Sequence, residues 1–441
     1  MSSTSSPQDS PQDSISCSAS SSLHSVVDRK HAVYGIFLLH GVGMLMSWNM
    51  FITIAPQYYV QYWFTIDGNA TDYAESFMSI IGVTSQIPNL GIMFVNMALA
   101  VAGSLMLRIA IPLIINCCLV VVIIVLVIFV QPNDDDRKWF YIVTLIIIML
   151  MNLCNGVYQN SIYGVVADFP DNYPNSLIIG NNLCGIFTSV MSIFTTVVSP
   201  DSIMLNAMLY FCISLAILII CGLSLIVLVK LPYYRHIMAI GERARLDDDA
   251  ERPSPAQYLD CLSYCWVQLF NNFFVYFVTL IIFPAMMSET PFYRQPGEPW
   301  GSALPENLYH AINTFLNFNA FASLGSLSAN YVHFPKPRFL WIPVVLRMLF
   351  IPFFMFCNYQ PAGKVRTVAV IFKSEWWFTI GGSIMAYTCG YFSSLALIYT
   401  PSIVPASYQK ISGMAASIAL MLGILCGVSF TPVIANITAA L

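Results

Sequence analysis

The chain contains eleven separate, mostly apolar segments of about 20 residues or more, and this pattern limits its fold more than any other feature. They cover residues 33–56, 77–99, 109–130, 140–166, 177–198, 204–229, 262–284, 309–331, 339–357, 377–399 and 411–436, called spans one to eleven below. Hydrophobic residues make up 57 % of the chain and charged residues 9 %, whereas soluble proteins average about 25 % charged. The sequence therefore predicts an all-α membrane protein with eleven transmembrane helices. It excludes a disordered chain, a disulfide scaffold and a nucleic-acid-binding protein.

Polar segments divide the chain into four parts. Residues 1–30 are rich in Ser and cannot bury a core, which predicts a disordered cytoplasmic tail. The longest polar link, residues 230–261, is predicted to be a cytoplasmic central loop. It separates spans one to six, within residues 31–229, from spans seven to eleven, within residues 262–441. The expected arrangement is therefore a bundle of six plus five helices.

The basic residues predict an orientation. With the N-terminus inside, the inside links hold eleven Lys and Arg residues and the outside links hold six. The positive-inside rule then favours a cytoplasmic N-terminus and an extracellular C-terminus. The sequon Asn69-Ala70-Thr71 falls in the first outside link, so Asn69 is a predicted glycosylation site. An outside sequon favours the plasma membrane, with an intracellular membrane as the alternative.

Polar side chains form stripes on four of the spans. In span one, Leu45, Trp48, Asn49 and Ile52 share one helical face. The other stripes are Gln86, Asn89 and Asn96 in span two, Asn152, Asn155 and Gln159 in span four, and Asn319, Ser323 and Ser326 in span eight. Each stripe alone is equally well explained by hydrogen bonds between helices. Four stripes together favour one central cavity.

The predicted cavity is almost uncharged, since no Asp or Glu lies in the middle of any span. Amides both donate and accept hydrogen bonds, and Trp48, Phe283 and Phe315 offer flat apolar faces. This chemistry suits a neutral solute with a planar ring and hydroxyl groups. No acidic residue is placed to bind sodium or to relay a proton, so downhill facilitated movement is the expected mechanism.

Two ionisable residues inside the spans each have two interpretations. His40 in span one is either a pH-sensing or substrate contact, or a neutral histidine bonded to a neighbouring helix. Arg347 in span nine either extends to the membrane interface or forms a structural contact within the bundle.

Enzymatic and ATP-driven functions are disfavoured. The chain has no phosphate-binding loop and no HExxH or GxSxG motif, and its twelve Cys lack zinc spacing. We therefore expect no enzyme activity, no cofactor and no metal. The alternative from another functional class is a non-transporting membrane receptor or regulatory protein.

Several motifs resemble those of the equilibrative nucleoside transporter family. Residues 41–49 read GVGMLMSWN, similar to that family's G-x-G-x-L-x-P-W-N. Gln159 and residues 180–185, GNNLCG, are similar to its G-Q-G-x-x-G motif, and span seven ends in Phe283-Pro284-Ala285. Residues 347–358, RMLFIPFFMFCN, match R-x-x-F-x-P-x-x-x-x-C-N, and residues 390–395, GYFSSL, are similar to the end of N-G-Y-x-x-S-L. The motifs occur in order from about residue 29 to residue 436.

The resemblance implies a fold like that of the major facilitator superfamily, with pseudo-symmetric six- and five-helix bundles. It implies facilitative, sodium-independent transport of nucleosides by alternating access. The expected partners are a nucleoside or related small molecule and the lipid bilayer, with no nucleic acid polymer. Carried over by position, the substrate-binding residues would be Leu45, Trp48, Ile52, Gln86, Asn89, Gln159, Phe283, Phe315 and Asn319.

Span eight departs from the family pattern. The family's F-N-x-F-D-W-x-G-R carries an Asp and an Arg that serve the nucleoside, and this chain has Ala322 and Ser326 at those positions. Losing both charges together avoids the free-energy cost of burying one charge without its partner. Nucleosides remain the first expectation, with Gln86, Asn89 and Asn155 supplying the lost hydrogen bonds. Nucleobases or another neutral or weakly cationic solute, or a sensing role without transport, are the alternatives.

Overall fold

The part of the chain that the computed structural model describes contains thirteen α-helices. The described residues are 27–66, 69–98, 105–133, 136–170, 172–198, 202–247, 255–295, 297–361 and 364–440. The first six helices are α1 (Ala32–Ala55), α2 (Asp72–Ala98), α3 (Leu105–Phe129), α4 (Arg137–Val166), α5 (Asn172–Val198) and α6 (Ile203–Leu228). They correspond to spans one to six. The predicted disordered tail lies outside the described residues, apart from its last four.

The remaining helices are α7 (Pro232–Asp247), α8 (Pro255–Ile281), α9 (Asn317–Ala329), α10 (Trp341–Leu346), α11 (Phe350–Phe356), α12 (Glu375–Ser402) and α13 (Gln409–Ala440). Wider π-helical turns extend α1 over Pro56–Trp63 and α8 over Ile282–Met286, and another, His310–Leu316, leads into α9. Span seven is α8, span eight is α9 with its preceding turn, and span nine is α10 and α11 joined by a 3₁₀ turn at Arg347–Leu349. Spans ten and eleven are α12 and α13.

Nine helical segments among the described residues are long and apolar enough to cross a membrane. They coincide with predicted spans one to seven, nine and eleven. The other two predicted spans, eight and ten, are helical in the structure but fall short of the same hydropathy limit. Span eight contains amides such as Asn313 and Asn317, and span ten contains several Gly, Ser and Tyr residues, which lower the mean hydropathy of both. The protein is thus a multi-pass, essentially all-helical membrane protein.

Two large apolar clusters divide the helices into two bundles. One cluster lies mainly in α1 to α6, where it includes Phe37, Met50 and Tyr158, and it extends to Leu397 of α12 and Met414 of α13. The second lies in α8 to α13 and includes Ile281 and Phe354. The main parts of the two clusters lie on either side of the central link.

The starts of α1 and α5 lie together, and the end of the α1 segment lies against the start of α4, so the bundle has two distinct ends. The proximal end is where α1 begins, and the distal end is where α1 finishes. At the proximal end the Asp28 carboxylate accepts hydrogen bonds from the backbone N–H groups of Val33 and Tyr34, at 3.1 and 3.2 Å. It also accepts one from the Tyr173 hydroxyl of α5 at 3.0 Å. At the distal end the ring of Trp63 stacks on Phe140 of α4 with centroids 3.6 Å apart.

Two segments contain structure that the hydropathy pattern does not indicate. The central link contains α7, whose Tyr234 is buried against the first bundle and stacks on Phe169. The first distal link contains a two-residue antiparallel ladder that pairs Thr65 with Ala70 and Ile66 with Asn69. The potential glycosylation residue Asn69 lies in this ladder.

Candidate functional site: the interface between the two bundles

The two bundles are joined by hydrogen bonds in the proximal half of the molecule. Asn175 of α5 donates to the Ser326 carbonyl of α9 at 2.6 Å and to the Asn330 side chain at 2.8 Å. Asn330 in turn donates to the Tyr34 hydroxyl of α1 at 3.2 Å. Amide bonds of this kind across helices are common in membrane bundles. Together these hydrogen bonds link α1, α5 and the end of α9.

A second set of proximal contacts joins α4 to α13. Asn160 donates to the Met414 carbonyl at 3.0 Å and to the Ser417 hydroxyl at 2.9 Å. Lys410 forms an ion pair with Asp168 at 3.5 Å, and the Asp168 side chain is only 1 % exposed. The proximal end is therefore closed by polar contacts on both sides of the bundle interface.

The predicted face of α1 is partly buried. Leu45, Trp48 and Ile52 pack against the core of the first bundle, and the Trp48 ring stacks on Phe51 with centroids 6.2 Å apart. Asn49, on the same stripe, donates to the Cys184 sulfur of α5 at 3.3 Å. On this stripe, Trp48 therefore offers an aromatic face, and Asn49 joins α1 to α5.

The glycines of the span-one and span-five motifs allow α1 and α5 to touch. A Cβ atom on Gly41 would lie 2.5 Å from the Leu177 carbonyl oxygen. A Cβ atom on Gly180 would lie 2.2 Å from the Leu38 carbonyl oxygen. Only glycine permits this backbone approach, so these residues set the distance between the two helices.

Helices α2 and α4 carry three of the predicted amides and pack against each other. Their backbones approach closely, because a Cβ on Gly156 would lie 2.7 Å from the Asn89 carbonyl oxygen. The side-chain oxygens of Gln86 and Asn89 are buried and have no hydrogen-bond partner among the described residues. Gln159, one turn after Gly156, is 3 % exposed. A buried amide without a partner costs free energy unless water or a solute satisfies it, so these groups are candidates for solute contact.

Asn155 has a different environment. Its side-chain oxygen accepts a hydrogen bond from Asn116 of α3 at 2.7 Å, and it is 4 % exposed. Asn152 in the same stripe donates to the Ile148 carbonyl of its own helix at 3.0 Å. Both bonds are those expected of packing amides rather than of a solute contact.

The second bundle contributes an aromatic cluster at the predicted positions. Phe283 stacks on Phe318 with centroids 3.8 Å apart and meets Phe315 edge-on at 5.7 Å. Asn319 lies directly against α5, where a Cβ on Gly185 would be 2.0 Å from the Asn319 side-chain oxygen. The structure therefore brings Phe283, Phe315 and Asn319 into one region next to the first bundle.

Ala322 and Ser326 lie in a helix contact. They are 1 % and 0 % exposed. Ser326 donates to the Gly390 carbonyl at 3.2 Å and accepts a hydrogen bond from Asn182 at 3.0 Å. A Cβ on Gly390 would lie 2.0 Å from the Ala322 carbonyl oxygen. The small residues at these two positions thus pack α9 tightly against α12.

His40 is fully buried and has partners on both ring nitrogens. Nδ1 lies 2.5 Å from the Tyr158 hydroxyl of α4, and Nε2 lies 3.1 Å from the Ser224 hydroxyl of α6. These contacts link three helices of the first bundle. The geometry therefore supports the interpretation of a bonded structural histidine.

Arg347 is 2 % exposed and lies wholly within the second bundle. Its guanidinium donates to the Val275 carbonyl at 2.9 Å and the Thr279 hydroxyl at 2.8 Å, both on α8. It also donates to the Met385 carbonyl of α12 at 3.1 Å. These bonds favour the structural contact over extension to the membrane interface.

Two polar residues at the interface, Asn160 and Tyr163, are not singled out by the sequence patterns. Asn160 is adjacent to Gln159 and makes the cross-bundle bonds described above. The buried Tyr163 hydroxyl interacts with Asn181 of the span-five motif. Tyr163 lies one turn after Gln159 on α4, so extending the span-four stripe by one turn would have identified it.

A family model described as "Nucleoside transporter" matches residues 145–436. The chain belongs to the nucleoside transporter family. This is a family of transporters and not of enzymes. The match begins within α4 and ends near the end of α13, so it covers both sides of the bundle interface.

Curated relatives of this family match almost the whole chain. Equilibrative nucleoside transporter 3 of Rattus norvegicus is 25 % identical over 91 % of this chain and 88 % of its own length. Equilibrative nucleoside transporter 1 of Homo sapiens is 25 % identical over 92 % of this chain and 98 % of its own length.

Solved structures show the fold. A proton:xylose symporter of the major facilitator superfamily superposes with a TM-score of 0.63 at 12 % identity, covering 91 % of this chain and 88 % of its own. A transporter of the same superfamily in an outward conformation gives a TM-score of 0.56 at 12 % identity, covering 93 % of this chain and 91 % of its own. The fold of the nucleoside transporter family member described here is therefore like that of the major facilitator superfamily.

Proposed function

We propose that this protein moves nucleosides down their concentration gradient, without sodium, by alternating access. The observation that supports this best is the pair of buried amide oxygens of Gln86 and Asn89 on α2, which have no hydrogen-bond partner among the described residues. Helix α2 packs against α4, which carries the buried Gln159. The chemistry of these amides matches the hydroxyls and ring nitrogens of a nucleoside. Membership of the nucleoside transporter family supports the same solute class.

The proposed mechanism is rocking of the six-helix bundle against the five-helix bundle. The proximal end is closed by the Asn175, Asn160 and Lys410 contacts. In one end state of alternating access, these contacts are made. In the other end state they are broken, and the solute leaves at the proximal side.

We further propose that all eleven spans cross the membrane, with the proximal end in the cytoplasm and the C-terminus outside. The distal end then faces the extracellular side of the plasma membrane, and Asn69 is glycosylated there. Expression of the full chain and of Asn69→Gln in mammalian cells tests this. We expect glycosidase to increase the mobility of the full chain and to leave Asn69→Gln unchanged. An identical glycosidase shift in both would contradict the assignment of Asn69.

The transport proposal is tested by uptake of labelled uridine, adenosine and adenine in cells that lack endogenous nucleoside transport. The expected result is saturable uridine or adenosine uptake that is the same with and without sodium. Uptake of adenine alone would replace the proposal with nucleobase transport. The absence of all uptake by surface-expressed protein would favour another solute, or a receptor or regulatory role.

The contribution of the Gln159 amide to solute binding is tested with Gln159→Leu, which keeps a similar side-chain size and removes the amide. Loss of one hydrogen bond to the solute predicts about a tenfold loss of uptake efficiency, equivalent to ~1.4 kcal/mol. The matched control is Gln360→Leu, since Gln360 is exposed in a distal link. Equal uptake by both variants and the unaltered protein would place solute binding elsewhere.

A further inference from the structure

A cavity lies at the distal end of the five-helix bundle, between the turn that leads into α9 and the start of α12. Its volume is about 360 Å³, within the range of pockets that hold small organic ligands. Leu304, Ile312, Leu316 and Ala320 supply apolar walls, and Asn313 and Glu375 supply polar groups. We call it the distal pocket.

The distal pocket lies on a different face of span eight from the proposed transport site. Leu316 and Ala320 line the pocket, whereas Phe315 and Asn319 point toward Phe283 and α5. Farther along the pocket side of α9, Leu324 is 52 % exposed. Exposed leucine on a membrane helix faces lipid, so the pocket opens at the lipid side of the bundle.

The position along the helix places this opening at the membrane boundary. Trp376 lines the pocket and is 64 % exposed, and Trp377 beside it is 56 % exposed. Tryptophan is enriched at the membrane–water interface, where an apolar ring and a polar group are both accommodated. A molecule in the pocket would therefore have one part in the hydrocarbon region and another near water.

Glu375 gives the pocket a negative charge. No described basic side chain forms an ion pair with its carboxylate. Lys373 lies over the Tyr293 ring at 5.6 Å, and Arg294 is paired with Glu306 at 3.3 Å. A carboxylate beside an apolar cavity at the membrane edge attracts a cation more strongly than one in bulk water.

We propose that the distal pocket binds a cationic amphiphile, such as a long-chain primary amine, with its ammonium group on Glu375. The alkyl chain would lie against Ile312, Leu316 and Ala320 and extend toward the lipid. The ammonium group would also reach the Asn313 side chain, which is 4 % exposed. This site is separate from the solute path, so the proposal does not depend on which solute is carried.

The test is photolabelling of the full chain in phosphatidylcholine nanodiscs with a dodecylamine that carries a diazirine on its alkyl chain. Mass spectrometry should find the label in residues 304–320 and 375–380. Unlabelled dodecylamine should displace it at concentrations at least tenfold lower than dodecanol. Glu375→Gln should lower the labelling at least tenfold.

Two further variants make the result specific. Glu298→Gln removes the same charge from the distal link outside the pocket and should label normally. Ala320→Phe fills the cavity and should abolish labelling without any change of charge. Equal labelling of Glu375→Gln, equal displacement by dodecanol, or labelling outside these residues would each overturn the proposal.

Discussion

At the scale of single residues, the structure separates amides that hold helices together from amides that are left without partners. Asn155 and Asn160 make bonds of 2.7 to 3.0 Å to neighbouring helices, whereas the oxygens of Gln86 and Asn89 have none among the described residues. The sequence predicts the stripes to which these residues belong. The sequence cannot show which of these amides are hydrogen-bonded, because the partner of an amide depends on the packing of a distant helix.

His40 gives a residue-scale prediction. Because both ring nitrogens are hydrogen-bonded in a fully buried position, we expect His40→Phe to destabilise the protein by about 1–3 kcal/mol. The pH dependence of nucleoside uptake per folded molecule should not change. Thermal unfolding in detergent and uptake between pH 5.5 and 8 would measure the two effects.

The exposed His333 provides the comparison, since His333→Phe should leave the unfolding temperature nearly unchanged. A flattened pH profile for His40→Phe alone would instead assign His40 a proton-sensing role. A normal unfolding temperature for that variant would show that its two hydrogen bonds contribute little.

At the scale of elements, hydropathy predicts the positions of the helices well, because nine spans are apolar enough to be recognised by composition alone. It does not predict α7, whose residues alternate between charged and apolar groups over only 16 residues. It also does not predict the 3₁₀ turn at Arg347–Leu349 that divides span nine. That turn begins at Arg347, whose buried guanidinium bonds to α8 and α12. Pro352 cannot donate a backbone hydrogen bond to the Met348 carbonyl within the turn, which also weakens the α-helix there.

The contact between α1 and α5 gives an element-scale prediction. Gly41→Ala places a Cβ 2.5 Å from the Leu177 carbonyl, and forcing the helices apart should cost about 1–3 kcal/mol. On the same helix, a Cβ at Gly35 meets nothing within 4 Å. Gly35→Ala should therefore be neutral or slightly stabilising, since alanine favours a helix over glycine by about 1 kcal/mol.

Thermal unfolding of the two variants in the same detergent measures this difference. We expect a lower unfolding temperature and reduced uptake for Gly41→Ala only. Equal unfolding temperatures would mean that α1 and α5 can separate without cost, and the close approach would then not determine the bundle.

At the scale of the whole molecule, the cross-bundle contacts of the proximal end determine which side of the transporter is closed. The sequence predicts two bundles from the central link and from the family resemblance. It does not predict which ends touch, because the partners Asp168 and Lys410 are 242 positions apart and only the fold brings them to 3.5 Å. Asp168 lies in a link that carries no basic residue of its own, so its ion pair has no local sequence signal.

We expect Lys410→Gln to shift the protein toward the state that is open at the proximal end. The variant removes the positive charge from a carboxylate that is 1 % exposed, and loss of one partner of a buried pair weakens the closed state. Hydrogen–deuterium exchange should increase in residues 160–170 and 406–417, and it should not increase in the distal link 285–295.

Arg294→Gln serves as the control, because it breaks an exposed pair, 46 % and 62 % accessible, inside one bundle. The charge swap Asp168→Lys with Lys410→Asp should lower the proximal exchange again. If exchange in Lys410→Gln equals that of the unaltered protein, the amide contacts of Asn160 and Asn175 alone keep the proximal end closed.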